Sequence, residues 1–179
     1  MKRCSMMILL AFASMFALPL YAQQATPTTS EAIQRAYNGV KGNILKAADK
    51  MPDDGYSFKP TPEQRDFAGW VAHVADTQVS ICSKAAGNPT TSNAASKTTK
   101  ADLVAALKMS FDTCDAVYSA LTEANSNDSV ASFRGNTTRL AALAGNVAHD
   151  NECYGTMAVY LRLKGIVPPS TEAASMRGR

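Results

Sequence analysis

Two residues four positions apart, His149 and Cys153, carry side chains that are well suited to binding a metal ion. They lie in a pattern that predicts a helix over residues 137–164, so they stand one turn apart on one face. An imidazole nitrogen and a thiolate sulfur are both good ligands for zinc and its neighbours. The chain has two histidines, and the other, His73, lies in a second predicted helix. If the two helices pack together, three ligand-type side chains converge on one point.

The spacing of these side chains does not by itself establish a metal site. A histidine on an apolar helix face is more often a hydrogen-bonded core residue, and histidine–cysteine pairs at this spacing also arise by chance. The sequence contains no H-E-x-x-H motif, no C-x-x-C pair, no Glu-x-x-His pair of the di-iron kind and no glycine-rich phosphate loop. From spacing alone, a metal site and an ordinary buried pair both stay open.

The elements that would position these residues are four predicted helices. Apolar residues recur at three- and four-residue intervals, which is typical of helices with one buried face. No convincing strand is found, and the stretch from Asn125 to Asn136 is predicted to be a polar loop. Four helices of this length favour an all-α four-helix bundle, where cofactor sites lie between facing helices. The first predicted helix begins at Ser30 and ends before the break at residues 51–55, and the others cover residues 66–86, 99–124 and 137–164.

The N-terminal residues match the pattern of a secretory signal peptide. Lys2 and Arg3 provide the basic start, and Met6–Leu20 is an uncharged apolar run that is short for a membrane span. Cleavage after Ala22 would release a mature chain in the bacterial periplasm or outside the cell. The alternative is an uncleaved membrane anchor.

Length and composition predict a single globular domain: the chain has 179 residues, of which 46% are hydrophobic and 18% charged. The net charge of +3 falls to about +1 without the signal segment, which gives no electrostatic case for nucleic acid or anionic membrane as a partner. No stable membrane insertion is expected after cleavage. The expected segments are a signal peptide at 1–22, a flexible tail at 23–29, the helical bundle at 30–170 and a disordered tail at 171–179.

The cysteine count requires an explanation in an exported protein. Cys4 lies in the signal segment, which leaves Cys82, Cys114 and Cys153. The simplest arrangement is one disulfide between Cys82 and Cys114, which would join two neighbouring helices and contribute on the order of 3 kcal/mol. The alternative for these two residues is a pair of separate buried thiols.

Several passages of the sequence resemble the DinB-like superfamily of helical bundles, and its exported members in particular. The resemblance implies a four-helix bundle with up-down-down-up connectivity. It also implies a divalent metal held by three histidines, one on the second helix and two that lie four residues apart on the fourth. The match extends from about Ser30 to Ser170, and the passages that carry it are Tyr56–Pro62, Gly69–Asp76, Ala148–Gly155 and Tyr160–Pro169.

The resemblance places His73 at the first ligand position and His149 at the second, but Cys153 stands where the family has its third histidine. Two outcomes follow. The thiolate replaces the imidazole and completes a His/His/Cys set with an open fourth position, or the site has decayed. A thiolate is soft and negatively charged, so the expected metal is zinc, with nickel or iron as alternatives.

A bound metal with an open position could activate water or polarise a substrate. Asp76 and Glu152, each three residues after a predicted histidine ligand, are candidates to orient an imidazole or move a proton; ordinary solvated carboxylates are the alternative. The resemblance therefore implies a metal-dependent enzyme of transferase or hydrolase type that acts on a small molecule. The alternative is a non-catalytic ligand-binding or structural bundle with a degenerate metal site, and a homodimer is left open.

Overall fold

Four long helices form the body of the protein in a computed structural model that describes residues 26–178. A short fifth helix follows them, and a two-stranded hairpin precedes the fourth. Single 3₁₀ turns occur at Asp53–Gly55 and Ala94–Ser96. The helices are α1 (Thr29–Lys50), α2 (Phe67–Ala85), α3 (Lys100–Ser119), α4 (Arg139–Leu163) and α5 (Pro169–Arg177), and the strands are β1 (Ser129–Ser132) and β2 (Gly135–Thr138).

Each long helix begins after a residue whose side chain satisfies a free backbone N–H group of the first turn. The four caps are Thr28, Asp66, Thr99 and Thr138. Thr28 forms a reciprocal capping box with Glu31. Ser30, the predicted start of the first helix, instead lies inside α1 and is buried, so the helix begins slightly earlier than the sequence analysis expected and shortens the predicted flexible tail.

The helix directions follow from side-chain contacts at the two ends of the bundle. Near the start of α1, Gln34 donates hydrogen bonds to the carbonyl groups of Tyr118 and Leu121 at the end of α3. At the start of α3, Lys100 donates to the carbonyl group of Met51, directly after the end of α1. These two helices are therefore antiparallel. A disulfide late in α2 reaches a late position in α3, so α2 and α3 run parallel. The connectivity is up-down-down-up, as the resemblance implied.

The core runs along the centre of the four helices and is rich in aromatic side chains. Tyr37 of α1 stacks on Tyr118 of α3 with ring centroids 3.7 Å apart. Phe67 at the start of α2 packs edge-on against Tyr56 of the preceding connection. Contacts of this kind stabilise packing beyond the burial of apolar area. The first joins α1 to α3, and the second holds the start of α2 against the connection that precedes it.

Two elements differ from the sequence analysis. The predicted loop at 125–136 contains a hairpin in which Ser132 pairs with Gly135 around a turn at Phe133 and Arg134. Gly135 has a φ of +103°, a conformation that favours glycine. The strands contain few apolar residues, so their pattern gave no strand signal; backbone pairing and one buried side chain, Val130, hold them.

A tail is predicted to be disordered at residues 171–179, but residues 171–177 are helical. They belong to α5, which begins with a proline at its first position, where the missing N–H is not needed. Tyr154 of α4 donates a hydrogen bond to Ser170, and Lys50 of α1 pairs with Glu172. Tertiary contacts with α1 and α4 therefore order a segment whose own sequence is polar.

The predicted signal peptide lies outside the described residues. Among residues 26–178, none of the helices combines the length and the apolar character that a membrane crossing requires.

A disulfide joins Cys82 in α2 to Cys114 in α3, across 32 residues of sequence. Cys153 is the free cysteine among the described residues, and it is buried. The odd cysteine is therefore inside the fold, away from the surface where it could cross-link two chains.

We expect the disulfide to contribute about 3–4 kcal/mol to the free energy of unfolding, because it restricts the unfolded chain over a closed loop of this length. Urea unfolding of the oxidised and the reduced protein measures this difference. The C82A/C114A double variant should unfold like the reduced wild type and should not respond to reductant. The C153A variant is the control and should keep the full response. Equal stability of oxidised and reduced wild type would contradict the expectation.

Candidate metal centre

The candidate site lies where α2 and α4 pack against each other in antiparallel orientation. Near the start of α2, Trp70 donates a hydrogen bond from Nε1 to the hydroxyl of Tyr160, at 3.1 Å. Further along α2, Oε1 of Gln78 accepts a hydrogen bond from Nδ2 of Asn146, at 2.8 Å. His73 lies between these two contacts along α2, and the register that they set brings it opposite α4.

The three predicted ligand side chains meet at this point. Nε2 of His73 is 3.0 Å from Nε2 of His149, and Sγ of Cys153 is 3.5 Å from the same nitrogen of His149. One ligand atom from each residue lies within 4.8 Å of the others. The fourth helix supplies two of them because residues four apart share a face, and the second helix supplies the third.

Two of these separations are close to those around a tetrahedral zinc ion. Zinc–nitrogen bonds of ~2.1 Å and zinc–sulfur bonds of ~2.3 Å place two nitrogens about 3.4 Å apart and a nitrogen and a sulfur about 3.6 Å apart. The nitrogen–nitrogen and sulfur–nitrogen separations at His149 are 3.0 Å and 3.5 Å, and the separation between the ligand atoms of His73 and Cys153 is within 4.8 Å. His73, His149 and Cys153 are therefore the residues that could hold a divalent cation.

The three predicted ligands differ in solvent exposure, so one side of the site is buried and the other is accessible. Cys153 is 2% exposed and belongs to the core. The side chain of His149 is 25% exposed, and His73 is also partly exposed. The sulfur therefore forms the floor of the site, and the imidazoles leave its outer side accessible to a small molecule.

Asp150, the residue after His149, is a feature of the site that the sequence analysis missed. It is fully buried, and its Oδ1 lies 3.6 Å from Nδ1 of His149, the ring nitrogen that is farther from the sulfur of Cys153, at 3.9 Å against 3.5 Å for Nε2. Histidines that bind metals usually donate their second N–H to a carboxylate or carbonyl group, which fixes the ring. Asp150 is placed to do this for His149 after a small adjustment.

A buried polar network holds Asp150 in place. Gln78 of α2 donates a hydrogen bond to Oδ2 of Asp150 and accepts one from Asn146. Asn146 also donates to the hydroxyl of Tyr118, at 3.2 Å. The network links α2, α3 and α4 directly beneath the candidate site. The sequence does not predict it, because the spacing of apolar residues does not show which polar side chains of α4 point into the core.

The electrostatics of the two histidines differ. Asp150 and then Cys153 raise the pKa of His149 to about 10, because both favour its protonated form. Burial, followed by Arg65 and His149, lowers the pKa of His73. Without a cation, a protonated His149 can donate its Nε2–H to an unprotonated His73, which accounts for their short contact. Burial raises the pKa of Asp150.

The two carboxylates named from the sequence do not join the ligand cluster. Asp76 accepts hydrogen bonds from Ser92 and from the backbone N–H groups of Ala94 and Ala95, so it anchors the connection between α2 and α3. Glu152 is exposed on α4. Neither carboxylate is among the residues whose ligand atoms converge in the described part of the chain.

Two solved structures show the same fold. A DinB-like protein from Bacillus subtilis is 20% identical, with a TM-score of 0.61 over 75% of this chain and 92% of that chain. A DinB-like protein from Bacillus cereus is 17% identical, with a TM-score of 0.67 over 78% of this chain and 95% of that chain. At these identities, the likeness concerns the fold alone. No curated protein matches this chain.

The family is decided by the sequence itself. The family model described as the DinB superfamily matches residues 36–157, which include all four long helices in whole or in part and all three candidate ligands. The chain belongs to the DinB superfamily.

Proposed function

We propose that this protein is exported and binds one divalent cation, zinc most readily, through His73, His149 and Cys153, and that it acts on a small molecule at that cation. The observation that carries the proposal is the convergence of three ligand atoms, from two helices, within 4.8 Å of one another. The family resemblance places ligands at the same three positions, although it has histidine at the third.

The arrangement around His149 supports a metal site over an ordinary buried histidine pair. A core histidine needs one hydrogen-bond partner for each ring nitrogen. Here Nε2 of His149 lies close to both an imidazole nitrogen and a sulfur, while Nδ1 has a buried carboxylate oxygen at 3.6 Å and the same sulfur at 3.9 Å. A carboxylate beside the ring nitrogen that does not bind the metal is typical of metal-binding histidines.

The donor set favours zinc and makes a catalytic site the better interpretation than a structural one. Structural zinc sites have four protein ligands, whereas catalytic sites have three and keep a position for water or substrate. A bound zinc ion would supply Lewis acidity and lower the pKa of a bound water. The chain itself would orient the imidazole of His149 through Asp150 and keep water from the thiolate side.

Export is part of the proposal. The N-terminal sequence has the basic and apolar segments of a signal peptide. The Cys82–Cys114 disulfide supports it, because disulfides persist in the periplasm and outside the cell and are rare in the cytosol.

Metal analysis tests the ligand set. The purified mature protein should hold about one equivalent of zinc, and H73A and H149A should each lose it, because two remaining ligands bind a cation weakly. Elemental analysis after gel filtration measures the stoichiometry. E152Q is the matched control, because it removes an exposed carboxylate three residues from His149 and should keep the metal. If the wild-type protein holds no metal after incubation with excess zinc, the proposed site is refuted, and the non-catalytic bundle is the interpretation that stands.

Cobalt substitution tests the thiolate separately. The Co²⁺-loaded wild type should show a sulfur-to-metal charge-transfer band in the near-ultraviolet, because a thiolate ligand is electron-rich. C153S should lose this band and bind zinc at least ~10-fold more weakly, and C153H should bind cobalt without the band. If the C153S spectrum equals that of the wild type, Cys153 is not a ligand.

The charge of Asp150 should matter for metal affinity. D150N keeps the size of the side chain and an oxygen that can accept from Gln78, but it removes the negative charge behind His149. We expect a loss of about 10- to 100-fold in zinc affinity, measured by competition with a chelator. Thermal unfolding of the metal-free variant is the companion measurement. A variant that is less stable but binds zinc normally would show that Asp150 has only a structural role.

A further inference from the structure

A cavity of about 550 Å³ lies beside the candidate metal centre. The hairpin covers one side of it, and α2 and α4 form the other. Its volume is within the range of about 300–1,000 Å³ that is typical of small-molecule sites. His149 is part of its wall, whereas His73 and Cys153 are not, so a molecule in the cavity would lie next to one of the three proposed metal ligands. The residues that matter for its chemistry are Ile81, Lys84, Phe133, Arg134, Gly145 and His149.

The hairpin turn gives the cavity an aromatic wall. Phe133 is 67% exposed, although a ring of this size is normally buried. The ammonium group of Lys84 lies 3.8 Å from the centre of its ring, a cation–π contact that ties the turn to α2. With Ile81 on the opposite wall, the cavity offers apolar surface on two sides.

The charges around the cavity have one sign. Lys84 and Arg134 are cationic, and no aspartate or glutamate lines the cavity. Within residues 26–178, neither cation forms an ion pair with a carboxylate. Two cations at the edge of an apolar cavity, without acidic neighbours in its wall, are complementary to an anionic group on a ligand.

Gly145 of α4 gives access to the cavity by substitution. It lies in the cavity wall, four residues before His149. A Cβ atom placed there would meet no neighbouring atom within 4 Å. A larger side chain can therefore be introduced at this position, where it would occupy space in the cavity.

We propose that this cavity binds a small molecule that has an apolar body about the size of a ring system and one anionic group. The apolar body packs against Phe133 and Ile81, and the anionic group lies at Lys84 and Arg134. The opposite end of the molecule reaches His149. The binding of such a molecule needs only the cavity; its reaction rests on the metal site proposed above.

Calorimetric titration with two probes tests the charge preference. The probes are 2-naphthoate and its uncharged amide, 2-naphthamide, which share one ring system. The wild type should bind naphthoate at least ~10-fold more tightly than naphthamide, because hydrogen bonds to a charged group are stronger than those to its neutral amide. The K84Q/R134Q variant should bind the two probes with equal affinity, and R134Q alone, which leaves the contact of Lys84 with Phe133 in place, should reduce the preference and keep the affinity for the amide. Equal affinities in the wild type, or no binding of either probe, would overturn the proposal.

A matched pair of glycine variants tests the location. G145F fills the cavity and should weaken the binding of both probes at least ~10-fold, while zinc stoichiometry stays unchanged. G39F is the control, because Gly39 lies in a helix, has open space around its Cβ position and is outside the cavity. If G145F and G39F bind naphthoate with equal affinity, the cavity is not the binding site and the proposal is rejected.

H73A separates the two proposals. It should lose the metal and retain naphthoate binding, since the probe is held by the cavity. If H73A abolishes naphthoate binding while K84Q/R134Q leaves it intact, the anion lies on the metal and the placement proposed here is wrong. If the wild type binds naphthoate but no zinc, the cavity proposal stands and the metal proposal fails.

Discussion

The register between α2 and α4 is the constraint on which the candidate site depends. A slide of one residue along a helix moves a side chain by about 1.5 Å and turns it by about 100°, which is enough to separate any two ligands. Gln78 fixes the register by bonding to two residues of α4, Asp150 and Asn146, one turn apart. On its other side, α2 is tied to α3 by the Cys82–Cys114 disulfide. The second helix is thus held from two directions where His73 must meet α4.

The buried polar network is better explained by the site than by stability. A buried carboxylate and amide cost free energy unless every polar atom is bonded. Oδ1 of Asp150 and Oδ1 of Asn146 are buried without a hydrogen-bond partner in the described structure. Apolar residues of similar size would fill these positions without that cost. The carboxylate of Asp150 lies behind His149, where its charge stabilises the imidazole, and this role accounts for keeping it in the core.

Much of the helical frame could be predicted from the sequence, because periodicity and caps are local signals. Thr99 and Asp66 mark two helix starts in the sequence. The pairing of Cys82 with Cys114 was one of two alternatives that their places in neighbouring helices left open, and the structure decides for it. The ligand set needed the family resemblance, since spacing alone left it open. The hairpin around Phe133 and the helix α5 could not be predicted, because tertiary contacts, and not their own sequences, order them.

Asp150 shows a different limit of the sequence. It is adjacent to His149, but the sequence pattern favours Asp76 and Glu152 as the carboxylates that orient an imidazole, because they follow the histidines by nearly one helical turn. A carboxylate three residues away lies over the neighbouring turn, whereas the adjacent residue points about 100° around the helix, into the core. Only the structure shows that the hydrogen bond from Gln78 holds the side chain of Asp150 next to the imidazole of His149.

The charge balance of the proposed centre bears on where an anionic ligand would bind. A dication held by two neutral imidazoles and the thiolate of Cys153 would keep a net charge of about +1, and the carboxylate of Asp150 would offset most of it. A set of three histidines would keep the full charge of +2. With Cys153 at the third position, the proposed centre would therefore attract an anion more weakly. Lys84 and Arg134, which pair with no carboxylate among the described residues, would then be the stronger attraction, so the anionic group would lie at the cavity edge and the uncharged end of the ligand at His149.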